Sequence, residues 1–287
     1  MEALKSYNAL WVPAEFFDAA MKQLREKYLN VALEDVPHPA SHIARRAARA
    51  EQAAVKAAPA VKVKELKAQQ WFEKAFNATK ISDELRYYSN ALRLKPNYSS
   101  AFVNRGNARK EKGDLKGALK DYNSAIRFEP GDAESFYNRA LVREKMKDLK
   151  GALRDYDNAI RLQPDDADFF YNRALAREAK RDIAGALQDY DRAISLRPKD
   201  ADAFNARGSA REAKGDVAGA LKDYNHALRL RPAYSIVYYN RALLFQDKGD
   251  VAAALADFRQ YLKCKGRSRN GDSKGVKQMI LDLKKKL

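Results

Sequence analysis

Five arginines recur at intervals of 34 residues: Arg105, Arg139, Arg173, Arg207 and Arg241. In the first four copies a second arginine follows four places later, at Arg109, Arg143, Arg177 and Arg211. Positions i and i+4 share one face of a helix, so each of these copies offers two guanidinium groups side by side. An acidic column of the same period, Asp121, Asp155, Asp189, Asp223 and Asp257, supplies a carboxylate to every copy. Guanidinium and carboxylate pair in a fixed fork of two parallel hydrogen bonds. Two chemistries are open to these columns. They can form an Arg-Asp ladder that stitches helices together, or a basic track that holds an acidic ligand. The compensating aspartate in every copy favours the ladder.

Residues suited to catalysis are sparse. His38 and His42 are separated by Pro39 and stand alone, and His226 falls in a variable column. No phosphate-binding glycine loop, dinucleotide fingerprint, HExxH zinc pair or GxSxG nucleophile elbow occurs. Cys264 is the single cysteine, which excludes an intramolecular disulfide. It sits in a basic stretch with no catalytic partner. These features point to a non-catalytic chain with no cofactor, no metal and no small-molecule substrate.

The columns must be positioned by a repeated element. Around the arginines the same words return: FVNRGNARKEKGD, FYNRALVREKMKD, FYNRALAREAKRD, FNARGSAREAKGD and YYNRALLFQDKGD. A fixed period of this length means one supersecondary unit copied along the chain, hence a solenoid rather than a single globular core. The first half of the unit pairs an aromatic column (Phe102, Phe136, Phe170, Phe204, Tyr238) with a small one four residues on (Gly106, Ala140, Ala174, Gly208, Ala242). That spacing lets a ring pack close to a neighbouring backbone. The second half carries Ala118, Leu119, Tyr122, Ala125 and Ile126, copied at Ala152, Leu153, Tyr156, Ala159 and Ile160, which is the pattern of an amphipathic helix. Between the halves stand Gly113-Asp114, Lys147-Asp148, Arg181-Asp182, Gly215-Asp216 and Gly249-Asp250. Glycine suits the left-handed residue that ends the first helix, and aspartate caps the second. Lys147 and Arg181 lack that ease, so strain is expected at those two turns. Each second helix should stop before Pro130, Pro164, Pro198 or Pro232.

The small, Ala, aromatic, Ala and Pro columns at Gly106, Ala118, Tyr122, Ala125 and Pro130 resemble the tetratricopeptide repeat (TPR), and the next three copies keep the same offsets. The Tyr/Phe-Asn-Arg-Ala/Gly wording is similar to bacterial arrays. The resemblance implies an all-α TPR solenoid, a right-handed superhelix of helix-turn-helix repeats. It covers residues 64–268: a degenerate repeat at 65–98, then repeats at 99–132, 133–166, 167–200, 201–234 and 235–268. In the degenerate copy Trp71 and Phe72 stand where Arg and Gly are expected, and the last copy loses the pattern at Tyr261 and Gly266. The family usually has Leu and Tyr where this chain has its two arginines. In TPR arrays the first helices line a concave groove. Asn104, Asn138, Asn172 and Asn240 then match a ligand-holding position, with Asn205 one place early in its copy and Ala206 in the column itself. An amide both donates and accepts, which suits the backbone of an extended peptide. Tyr137, Tyr171 and Tyr239, with Val103 in the same column, could add flat contacts. The asparagines could equally brace the neighbouring repeat.

Residues 1–35 read as a helical segment, with Phe17, Ala20, Leu24 and Tyr28 on one stripe, and 36–63 as a basic Ala/Pro-rich linker. Residues 269–287 read as a capping helix with Val276, Met279 or Ile280, Leu283 and Leu287 on one side. The mean hydropathy of -0.64, with no long apolar run, points away from the membrane, and the start of the chain shows no secretory signal pattern. A cytoplasmic protein is expected. The net charge is +17, yet residues 133–166 balance seven basic against seven acidic side chains. Residues 235–287 hold twelve basic and five acidic, an excess of seven. A nucleic-acid solenoid should carry its excess along the repeats. The leading expectation is therefore a scaffold that binds a protein or peptide partner in the groove, with weak nucleic-acid binding at the basic tail around Lys263, Lys265, Arg267 and Arg269. Two alternatives are a nucleic-acid-binding repeat module using the Arg columns, and an accessory module docked to a larger assembly through residues 1–63.

Overall fold

The computed structural model describes residues 62–265 and 273–285. The helical segment expected at 1–35, and all but the end of the linker, lie outside the described residues. The described residues from Val63 onward form one compact unit. Among the described residues it contains thirteen helices and no strand: α1 (62–76), α2 (Ile81–Leu94), α3 (Ser99–Glu111), α4 (Leu115–Phe128), α5 (Ala133–Lys145), α6 (Leu149–Leu162), α7 (Ala167–Ala179), α8 (Ile183–Leu196), α9 (Ala201–Ala213), α10 (Val217–Leu230), α11 (Ser235–Asp247), α12 (Val251–Lys265) and α13 (Ser273–Lys284). Each helix packs on the next in chain order from α2 to α13, which makes an all-α solenoid of helix pairs.

The punctuation explains the lengths. Asp114, Asp148, Asp182 and Asp216 accept a hydrogen bond from the backbone N–H three residues on, which caps α4, α6, α8 and α10. Asp132, Asp166 and Asp200 cap the first helices α5, α7 and α9, each accepting from the backbone N–H two residues on, and Asp132 and Asp200 also from the one after it. The turn inside each pair needs a left-handed residue. Gly113, Gly215 and Gly249 adopt φ of 86°, 84° and 76°, while Lys147 and Arg181 are forced to 65° and 64°. The second helices end at Phe128, Leu162, Leu196 and Leu230, two residues before a proline.

The core is a file of side chains from the second helices. Tyr88, Tyr122, Tyr156, Tyr190, Tyr224 and Phe258 are fully buried, each beside the alanines of its own helix. Their partners come from adjacent copies as well as their own: Val142 on α5 packs on the cluster around Tyr122, and Ala176 on α7 on that around Tyr156. Burial is therefore shared between copies. At the N-terminal end Phe72 replaces the small residue and stacks on Tyr98 at 5.1 Å, which fills the degenerate copy differently.

At the other end Val276, Ile280 and Leu283 of α13 bury against Ala254, Leu255, Phe258 and Tyr261 of α12. Burying one such aliphatic side chain is worth about 1.5–3 kcal/mol. Deleting residues 272–287 should leave that face open to water, so the truncated chain is expected to self-associate and to melt earlier. Light scattering and a denaturation curve would check this, and an unchanged monomer with an unchanged midpoint would remove the closing role of α13.

Candidate functional site

The Arg and Asp columns meet inside each helix pair. Arg105 on α3 donates from Nε and Nη2 to Asp121 on α4, at 2.9 and 2.7 Å. The same fork joins Arg139 to Asp155 at 2.8 and 2.6 Å, and Arg173 to Asp189 at 2.9 and 2.6 Å. It recurs for Arg207 and Asp223 at 2.9 and 2.6 Å, and for Arg241 and Asp257 at 2.6 and 2.7 Å. The second arginine reaches the same carboxylate: Arg109, Arg143 and Arg211 lie 2.7 Å from Asp121, Asp155 and Asp223, and Arg177 lies 2.8 Å from Asp189. In the last copy Phe245 takes the place of that second arginine. All five aspartates are buried, 1–5% exposed. Each first-column guanidinium also lies 5.4–5.7 Å from the aromatic ring three residues earlier on its own helix.

A further column links one copy to the next. The Nη1 of Arg105, Arg139, Arg173 and Arg207 donates to Ser89, Asn123, Asp157 and Asp191 of the preceding second helix, at 3.0, 2.7, 2.7 and 2.7 Å. Arg241 makes the equivalent bond to Asn225. Sequence reasoning missed these acceptors because their type varies, and only their 34-residue spacing identifies them. Two of the five are carboxylates and three are neutral, so the charge around each guanidinium differs from copy to copy.

The first helices of successive copies touch directly at α3–α5 and α9–α11. On this side stand the asparagines, and most of their amides are occupied. Asn138 is 6% exposed and accepts from Lys110 Nζ at 2.8 Å. Asn172 donates to Tyr137 OH at 3.0 Å and to the Asp168 carbonyl at 2.8 Å. Asn240 donates to Asn205 at 3.2 Å. Tyr137, Tyr171 and Tyr239 are half-buried, and their rings lean on Tyr156, Tyr190 and Phe258 at 5.9–6.0 Å. Burial pushes the Tyr137 hydroxyl up to about 12, helped by Asp168 and Asp166. Beyond these, Arg197 grips Asp168 with two bonds of 2.8 and 3.2 Å, and Arg231 grips Asp202 at 3.0 and 2.9 Å. The Arg231 guanidinium holds the Asp202 carboxyl below its usual range. Each of these two clamps ties the start of a first helix to the end of the second helix in the same copy.

Between the asparagine stripe and the turn lie Leu141, Leu175 and Leu243, four residues after Tyr137, Tyr171 and Tyr239. Leu175 is 37% exposed. An open pocket of about 380 Å³ beside Leu141 is lined by Lys110, Glu144 and Lys145. The arrangement offers apolar contact flanked by charge. His226 stacks on Phe204 at 4.0 Å. Among the described residues no group of three His, Cys, Asp or Glu side chains is placed to hold a metal ion. No helix among them is long and apolar enough to cross a membrane.

Family models described as TPR repeat match residues 106–147 and 212–249, and models described as tetratricopeptide repeat match 137–201 and 236–265. No curated protein matches the sequence. Many solved structures share the fold. A tetratricopeptide repeat protein from Parabacteroides merdae ATCC 43184 aligns with a TM-score of 0.61 at 19% identity, covering 76% of this chain and 98% of that one. YrrB, described as a TPR protein with an unusual peptide-binding site, aligns at 0.56 and 20% identity over 70% of this chain and 98% of its own. A crystal structure of MamA protein aligns at 0.55 and 20% identity, over 58% and 92% respectively.

Proposed function

Because the chain belongs to the tetratricopeptide repeat family, we propose that it is a non-catalytic scaffold that holds an extended or helical segment of a partner protein on the joined faces of its first helices. The observation that carries this reading is the division of labour between the two sides of the first helix. The arginines are spent on the chain's own aspartates, while Tyr137, Leu141, Tyr171 and Leu175 keep part of their surface open. YrrB, with the same fold, is described as having a peptide-binding site, which supports the reading by analogy. The array is taken as residues 64–268, closed by 269–287. The asparagines add to the surface through the hydrogen-bonding capacity left over; the carbonyl oxygen of Asn172 has no partner among the described residues.

A nucleic-acid track would need unpaired guanidinium groups at regular spacing, and the forks above leave few donors for phosphate. Changing Tyr137, Tyr171, Asn138 and Asn172 to Ala together is expected to abolish capture of the partner in a pull-down while helix content survives. Binding should respond modestly to salt. Tight RNA or DNA binding that falls by orders of magnitude between roughly 50 and 200 mM salt, and survives deletion of residues 263–287, would overturn the proposal.

A further inference from the structure

The chain carries an excess of positive charge, yet one stripe of its first helices is acidic. Glu144, Glu178 and Glu212 occupy the same position on α5, α7 and α9. Each accepts a hydrogen bond from the hydroxyl of the buried second-helix tyrosine, Tyr156, Tyr190 or Tyr224 respectively. None of the three makes an ion pair among the described residues. All are half-buried, and burial raises the carboxyl pKa of Glu144 and Glu178. A carboxylate partly removed from water and paired only with a neutral hydroxyl is electrostatically incomplete, and an approaching cation would stabilise its ionised form.

The identity of the neighbours sharpens this. Next to Glu144 stands Lys145, but next to Glu178 and Glu212 stand Ala179 and Ala213. At the two ends of the file the glutamate is replaced, by Lys110 on α3 and by Gln246 on α11. The negative stripe is thus confined to the middle of the array. On α5 and α7 the same stripe carries Tyr and Leu at the positions seven and three residues earlier, so apolar surface and carboxylate lie in line along each helix.

We propose that the middle of this surface selects a partner segment that combines apolar or aromatic side chains with lysine or arginine, the apolar groups lying on Tyr171 and Leu175 and the cations pairing with Glu178 and Glu212. This rests on the binding face proposed above and adds the chemistry of its occupant. The net charge of +17 opposes cationic peptides in general, so any preference for one has to come from a local acidic site such as this.

The test uses the full chain and three fluorescent twelve-residue peptides of alternating leucine with lysine, glutamine or glutamate, read by anisotropy at fixed ionic strength. The lysine peptide is expected to bind at least about tenfold more tightly than the glutamine peptide, a difference of about 1.4 kcal/mol. Glu178→Gln with Glu212→Gln should erase that preference. Glutamine still accepts the tyrosine hydroxyl, so an unchanged denaturation midpoint shows that the fold is intact. Equal binding of the lysine and glutamine peptides, or an undiminished preference in the double variant, would overturn the charge assignment. The binding face itself would then still stand if Tyr137→Ala with Tyr171→Ala lost the glutamine peptide. Preference for the glutamate peptide, or no binding of any of the three, would also overturn the inference.

Discussion

Asp155→Asn is expected to destabilise the array by roughly 3–5 kcal/mol, and Asp189→Asn by clearly less. Each carboxylate is nearly inaccessible to water and serves two guanidinium groups. Replacing it by an amide turns an acceptor edge into a donor edge facing arginines that are themselves largely buried, their side chains 14–23% exposed. The cost comes less from the attraction lost than from buried positive charge left without a counter-ion. The two sites differ in what remains. Arg139 keeps only the neutral amide of Asn123, whereas Arg173 keeps the carboxylate of Asp157 at 2.7 Å. Asp148 and Asp182 offer similar, longer contacts of 3.7 and 3.8 Å to Arg143 and Arg177, so they do not separate the two variants. Denaturant titration of both variants measures the difference. Equal losses would mean that the acceptor from the preceding copy does not share the load. Near-zero losses would mean that the columns are not structural, and would return the arginines to the pool of ligand-binding candidates.

The pairing chemistry was legible in the sequence because two columns of fixed type kept a fixed offset of 16 residues, from Arg105 to Asp121 and onward. The helix pairs were legible for the same reason: Gly-Asp, Lys-Asp and Arg-Asp at one position mark one turn, and the aligned Lys147 and Arg181 do carry the left-handed backbone of the glycines they replace. What escaped are contacts that alignment by residue type cannot reveal. Ser89, Asn123, Asp157, Asp191 and Asn225 share only the ability to accept a hydrogen bond, and their donor belongs to another copy. Glu144, Glu178 and Glu212 look like solvated helix-surface residues until the tyrosine hydroxyl is found above them. Even then the sequence hints at the link: where the last copy exchanges that tyrosine for Phe258, the glutamate becomes Gln246, whose carbonyl oxygen is buried without a partner. The asparagine column shows the opposite limit. Residue type identified the amides, but whether an amide is free depends on neighbours such as Lys110 and Tyr137 that only the packing brings near.

The tyrosine file makes the array sensitive to alkali, and unfolding is expected to set in just above pH 10. Tyr88, Tyr122, Tyr156, Tyr190 and Tyr224 are each 0–1% exposed. Burial raises the pKa of every one of these hydroxyls, to about 12 for Tyr88 and further for the others, with the adjacent Glu144, Glu178 and Glu212 adding to the effect at the last three. In the unfolded chain a tyrosine titrates near 10. Below that value folded and unfolded states hold the same protons, and these groups give stability no pH dependence. Above it the unfolded chain releases protons that the folded chain retains, so stability falls with rising pH by about 1.4 kcal/mol per unit for each tyrosine. Five together approach about 7 kcal/mol per pH unit, comparable with the 5–15 kcal/mol that holds a typical domain folded. The signature is cooperative: tyrosinate absorbance from the buried file should rise in the same narrow window in which helical circular dichroism is lost. The pair Glu144→Gln with Tyr156→Phe copies the natural Gln246 and Phe258, and should reduce the slope by one proton. Tyrosinate absorbance that rises gradually around pH 10 while the helices stay intact would show that these hydroxyls are open to water and that the second helices do not pack as described.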